Sequence, residues 1–157
     1  MIYAMPILLL IFTIVTFLRL GRGHYVSFGT PQLLLRVVVA VPLLVSGVLF
    51  HILRTGILAS IIPPFFPARY FLVLLTGVLE IAGAIGLFVE IFRRPAAFWI
   101  AIMMVAIFPA NIYAAGRVVG GLPMPGVPVR TAMQILYIVL VLLAGYGIPR
   151  RTESVAA

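Results

Sequence analysis

The stretch "FLVLLTGVLEIAGAIGLFVEIFRRPAAFWIAIMMVAIFPANIYAA", residues 71–115, holds two apolar runs, 71–92 and 96–115, parted by Arg93, Arg94 and Pro95. An α-helix rises 1.5 Å per residue, so each run is about the twenty residues needed to cross the hydrocarbon layer of a membrane. Further runs occupy residues 2–18, 37–53 and 131–148. Five spans are therefore expected. The first is the shortest, and the second reaches full length only if its helix includes the preceding "PQLLLR".

Composition supports this solvent assignment. Of 157 residues 64% are hydrophobic and 9% charged, and the mean hydropathy is +1.29. Fourteen Lys, Arg, Asp and Glu side chains cannot coat a water-soluble core built from five such runs. Helices are expected rather than a barrel, because the runs are continuously apolar and about twice as long as an alternating transmembrane strand. The expected fold is thus an all-α transmembrane bundle: an N-terminal anchor over 1–20, a bundle over 36–148 and a tail over 149–157.

The net charge of +8 does not mark a nucleic-acid surface, since the eleven basic residues are scattered in ones and twos between apolar runs. They sort by side instead. With the amino terminus outside, seven arginines (Arg19, Arg22, Arg36, Arg93, Arg94, Arg150 and Arg151) face the cytoplasm and four (Arg54, Arg69, Arg117 and Arg130) lie outside. That arithmetic predicts N-out and C-in for five spans. The opening segment lacks a basic region before its apolar run, which suits a retained anchor better than a cleaved signal. No cysteine is present, so disulfides and thiol chemistry are outside this chain's means.

Small residues punctuate the runs: Ser46 and Gly47, then Gly77, Gly83 and Gly86, then Ala97 and Ala101. Membrane helices approach one another at such positions, because lipid gives leucine little reason to leave it. No phosphate-binding glycine loop follows a strand. Between the second and third spans, "IIPPFFP" (61–67) cannot be one regular helix. It is expected at the membrane interface, as an aromatic belt or as a gate over a pocket. The later loop "GRVVGGLPMPGVPVR" (116–130) is expected to be irregular and exposed on the same side.

Five polar residues stand out as pocket candidates. Glu80 lies near the middle of its span, where a carboxylate must face the bundle interior; it is either an interhelix hydrogen-bonding group or a proton, ligand or ion site. His51 and Arg54 are three apart near the outer end of the preceding span, and antiparallel packing can aim His51 toward Glu80. By depth His51 should be some turns shallower, leaving room for water or a quinone-like head group. A structural role, a polar pocket and metal ligation all remain open for it, although one imidazole supplies too few metal ligands. Asn111 and Gln134 add amides at similar depth, so three helices contribute to one polar layer above Glu80. Arg93 and Arg94 stand three and four residues after Glu90 and can pair with it, and Pro95 suits the start of the next helix.

The segments "RVVVAVPLLVSGVLFHI", "IIPPFFP", residues 74–115 and "PVRTAMQILYI" together resemble the DoxX-like family of small bacterial membrane proteins. The resemblance covers residues 36–145 and rests on order and spacing. It departs from the family's glycine-histidine-aromatic pattern, since Ile52 follows His51. It implies a four-helix membrane bundle in the bacterial inner membrane, with the first span an addition. It also implies association with membrane redox systems, through quinone or through partner redox enzymes. Glu80, His51 and Asn111 could serve a quinone head group as proton-exchanging and donor groups. No intrinsic cofactor is expected, and a redox cycle would need a partner. Two other function classes compete. One is a structural or assembly subunit of a larger membrane complex, with homo-oligomers allowed; the other is permeation of a proton or small molecule.

Overall fold

The computed structural model describes residues 31–147; the expected first span and the C-terminal tail lie outside the described residues. Helix α1 covers Pro31–Val45. At Pro42 the helix loses one internal donor, and from Ser46 to Ile52 it continues as a widened π-helical turn. The Leu53 amide accordingly donates to Val48 O, five residues back, at 3.1 Å. The buried Thr55 hydroxyl then donates to His51 O at 2.7 Å and Ile52 O at 3.1 Å, capping carbonyls freed where the helix breaks. A single turn, α2 (Thr55–Ala59), follows.

Helix α3 (Arg69–Gly86) runs back, and α4 (Glu90–Ala106) returns after a three-residue turn. The sequence expectation extended the third span to 92 and started the next at 96; the helices instead meet at 87–89. Leu87 and Val89 are fully buried in that turn, so apolar content there reflects core packing and not continued helix. Pro95 correspondingly lies inside α4 and not at its start. Helix α5 (Phe108–Ala114) is bent by 43° from α4. Pro109 explains the break, because it cannot donate to the carbonyl of Val105.

The loop expected to be irregular contains a small antiparallel ribbon, β1 (Val118–Val119) with β2 (Leu122–Pro123). Gly120 and Gly121 both take positive φ, 57° and 84°, as a tight two-residue hairpin turn of the right twist demands. Val119 is buried rather than exposed, and Gly120 abuts the side chain of Ile57 from α2. Helix α6 (Val127–Tyr146) completes the chain.

The described residues form an all-α bundle with three helices long and apolar enough to span a membrane, or four if the bent pair α4 and α5 counts as one span. Trp99, Val105 and Leu136 are each more than half exposed, as lipid-facing residues should be. The two ends differ. At one, α2 and the hairpin meet where Gly120 abuts Ile57. At the other, Gln32 Nε2 donates to Leu143 O (2.6 Å) and Ala144 O (3.2 Å), Arg36 Nε to Ala144 O (3.2 Å), and Arg93 Nε to Gly145 O (3.1 Å). These three side chains satisfy the orphan carbonyls at the C-terminus of α6, and two of them bring positive charge to the negative end of its dipole. Arg93 is thus committed to α6, and no Glu90–Arg93 or Glu90–Arg94 ion pair forms among the described residues.

The core lies beside this capped end. Val39, Ala40 and Leu43 of α1 meet Ala84 of α3, Ala97 and Ile100 of α4, and Val141 and Ala144 of α6. Four alanines in one layer let the helix backbones come close, which is how packing holds a bundle when the solvent is itself apolar.

Candidate functional site

A hollow runs along the bundle from the proline-rich segment at the hairpin end to Phe92 and Pro95 in the first turns of α4. A cleft of about 1110 Å³ lies between α3 and α4, walled by apolar residues such as Leu72, Leu75, Trp99, Ile100 and Met103. Ile61, Ile62 and Phe66 of the proline-rich segment close one end of it, while Phe65 points outward and is 76% exposed. Polar groups line the cleft at few places, among them Ser46, His51, Glu80, Asn111 and Arg130.

Glycines set the first polar cluster. A Cβ on Gly77 would overlap the Cβ of His51, and one on Gly47 would stand 2.7 Å from Ile81 Cγ1 and 2.9 Å from Gly77 O. Without those side chains α3 and the π-helical turn approach until His51 Nδ1 lies 3.3 Å from Glu80 Oε2. The depth offset expected from sequence therefore vanishes. The same His51 nitrogen is 3.2 Å from Ser46 O and 3.4 Å from Ser46 Oγ, five residues back, a spacing that a π-helical turn brings into register. One nitrogen carries at most one hydrogen, and it is shared among these neighbours. Glu80 is 5% exposed, and its Oε2 accepts no well-directed hydrogen bond despite the short approach of His51.

A second cluster joins α5 to α6. Arg130 Nη2 donates to Asn111 Oδ1 (2.7 Å), Asn111 Nδ2 to Gln134 Oε1 (2.6 Å), and Gln134 Nε2 to Met104 O (2.6 Å). The Met104 carbonyl belongs to the last turn of α4, where the Pro109 break leaves acceptors to be satisfied from outside. Arg130 Nη1 also reaches Met124 Sδ at 3.4 Å, while the buried Arg130 Nε has no acceptor. Asn111→Ala would strand both Arg130 Nη2 and Gln134 Oε1. The Asn111→Ala and Gln134→Ala double-mutant cycle is expected to give a coupling of about 1 kcal/mol in detergent or bicelle unfolding, within the usual range for interhelical hydrogen bonds.

Of the five sequence candidates, His51 and Glu80 meet directly, and Asn111 and Gln134 bond to each other. Arg54 does not join them: the helix breaks at Leu53 and Arg54, so the three-residue spacing to His51 no longer shares a face, and Arg54 is exposed. Two residues were missed. Ser46 was read only as a small packing residue and Arg130 only as a loop charge. Arg130 stands four residues before Gln134, and that spacing could have placed both on one face of α6. Among the described residues no three His, Cys, Asp or Glu side chains converge as a metal centre would require.

A second, smaller cavity of about 340 Å³ borders Ser46, Glu80, Asn111 and Arg130 from their other side, against α1 and α6. Ser46, Glu80, Asn111 and Arg130 thus line both hollows.

Comparison with curated proteins gives no match, and comparison with solved structures gives none either. A family model does match, over residues 39–145, which is most of the chain and takes in α1 from its middle, the π-helical turn, both clusters and nearly all of α6. The chain belongs to the family described as a domain of unknown function, DUF8561.

Proposed function

We propose that this chain is a small membrane subunit that holds a lipid-soluble, quinone-class molecule in the larger cleft and acts beside a redox partner. The observation that carries the reading is a pair of unmet hydrogen-bonding atoms on residues of one apolar cleft. Glu80 Oε2 lacks a directed donor and Arg130 Nε lacks an acceptor, both buried. Buried polar atoms without partners are rare and costly in an apolar medium. A quinol hydroxyl would complete Glu80, and a carbonyl oxygen would complete Arg130. The residues therefore fit the group. The apolar walls suit a ring and an isoprenoid tail entering from lipid.

The bound group would supply electron and proton carriage; the chain supplies binding, orientation and a proton store. Glu80 and His51 hold a proton at Oε2 or Nδ1. Arg130, fixed through Asn111 to Gln134, sets the orientation of the head. The ordered resemblance to the DoxX-like family over 36–145 supports a redox setting in a bacterial inner membrane.

Trp99 is the chain's one tryptophan and lines the cleft, so it reports occupancy directly. Titrating decylubiquinone into the protein in nanodiscs is expected to quench Trp99 fluorescence saturably. Glu80→Gln and Arg130→Met should each weaken binding about tenfold, equivalent to about 1.4 kcal/mol, as for loss of a charge-assisted hydrogen bond. Quenching that never saturates, and that is identical in wild type and both variants, would show simple partitioning into lipid. The weight would then move to a structural or assembly role.

A further inference from the structure

The two hollows that meet at Glu80 are chemically unlike. Of the twelve residues lining the smaller, six are polar: Ser46, Glu80, Asn111, Arg130, Gln134 and Tyr137. Of the thirty lining the larger, six are polar: Ser46, His51, Thr76, Glu80, Asn111 and Arg130. By residue the smaller lining is the more polar, half against a fifth, while apolar atoms still make up most of the surface of both.

We propose that the smaller cavity is an aqueous inlet that reaches Glu80 from the hairpin end of the bundle, while the larger cleft faces lipid. Its use in proton exchange rests on the function proposed above, whereas the inlet itself does not need the bound molecule.

Three observations carry this. At the hairpin end the cavity is bordered by Pro125, just before α6, and by Arg130 and Met133 in its first two turns; Pro125 and Met133 are exposed, as is Pro42 on α1. The cavity, about 340 Å³, has room for several waters, each occupying about 30 Å³ and needing two to four polar partners. Those partners are at hand in the Arg130–Asn111–Gln134 chain and in the hydroxyls of Ser46 and Tyr137, whose phenol donates to Val39 O. Finally, the path stops at Glu80. Leu43 lines the cavity's inner end, and beyond it Val39, Val141 and Ala144 are fully buried, so core closes this cavity toward the opposite end of the bundle.

The arrangement makes Glu80 a one-sided proton port. A proton leaves the carboxyl oxygen for an inlet water, and the bond broken on Glu80 is replaced by one on that water. The titratable and charged groups facing Glu80 are His51 from the π-helical turn and Tyr137 and Arg130 from α6.

The chain's lack of cysteine makes the test direct. Ser46→Cys, which lines both hollows, is reconstituted in liposomes and exposed to a charged, membrane-impermeant methanethiosulfonate added to one side at a time. Leu122→Cys, 63% exposed in the hairpin, marks the hairpin side, and Val139→Cys, on a lipid-facing part of α6, marks burial in lipid. S46C is expected to react only from the side that modifies L122C, within about a hundredfold of its rate, since burial can lower the thiolate fraction by about tenfold per unit of thiol pKa. V139C should not react. Reaction of S46C with membrane-permeant N-ethylmaleimide alone would overturn the inlet, as would equal labelling from both sides. Met133→Cys at the mouth serves if S46C does not assemble, and must follow the same pattern. Labelling is done without quinone, so failure here leaves the Trp99 titration standing, and failure of that titration leaves the inlet standing.

Discussion

Gly77→Ala is expected to destabilise the bundle by about 1–3 kcal/mol, the usual range for overpacking a filled interior, and to abolish the His51–Glu80 approach. The added methyl would overlap the Cβ of His51, an atom fixed to its backbone that no rotamer change can withdraw, with Gly47 O only 3.3 Å away. Relief requires α3 to retreat from the π-helical turn. Gly83→Ala is the matched control. Its methyl would come within 2.5 Å of Ile100 Cγ1 and 2.8 Å of Ile100 Cδ1, so relief needs a rotamer change of the buried Ile100 and not the movement of a backbone-fixed Cβ, and the cost should be smaller. Unfolding of the two variants in one detergent, followed by circular dichroism, ranks them. Quinone quenching of Trp99 should fail in G77A even where the protein stays folded. Equal stability of G77A and wild type would mean that α3 and the turn do not pack at Gly77.

Gly145→Ala should be as damaging for a different reason, at the other end of the molecule. Its new methyl would overlap the Cβ of Ala97 and stand 3.2 Å from Arg93 O. Pushing α6 away from α4 there also strains the donors from Gln32, Arg36 and Arg93 that satisfy the α6 carbonyls. A loss of about 1–3 kcal/mol is expected. Ala97→Gly in the same chain removes the colliding atom, so A97G/G145A should recover most of the loss while each single change destabilises. The Gly145 contact does not touch His51, Glu80 or Arg130, although Ala96 beside Ala97 lines the cleft, so G145A that still folds should keep most of its quinone binding, and G77A should not. That contrast separates general loosening of the bundle from loss of the site. If the double variant is no better than G145A alone, the Ala97–Gly145 contact is not what holds α4 to α6.

The DoxX-like family expected from sequence over 36–145 is not the family that the comparison matches, which is one of unknown function over 39–145. Neither supplies a reaction.

Membrane residence and helical class follow from sequence alone, because they depend on the length and polarity of runs, quantities that do not require knowing which residues touch. Glu80 could be singled out for the same reason: an ionisable group deep in an apolar run is costly wherever the run packs. Helix ends were less legible. The turn at 87–89 is apolar because it is buried by neighbours, so composition alone made it look like helix; the Val118–Pro123 ribbon is exposed apart from Val119 and is set by the positive φ of Gly120 and Gly121, of which composition gave no sign.

Only the tertiary structure decided who partners whom. The π-helical turn rotates His51 back over Ser46 and onto Glu80, while the break after it turns Arg54 to the surface. A single residue's change in helical register moves a side chain by about a hundred degrees around the axis, and nothing in the spacing of His51 and Arg54 records that change. The Asn111–Gln134 bond likewise depends on the 43° bend at Pro109, which brings α5 onto α6. Sequence named most of the polar groups because desolvation cost is local; their pairing is a property of helix faces brought together, and those faces are set by backbone geometry.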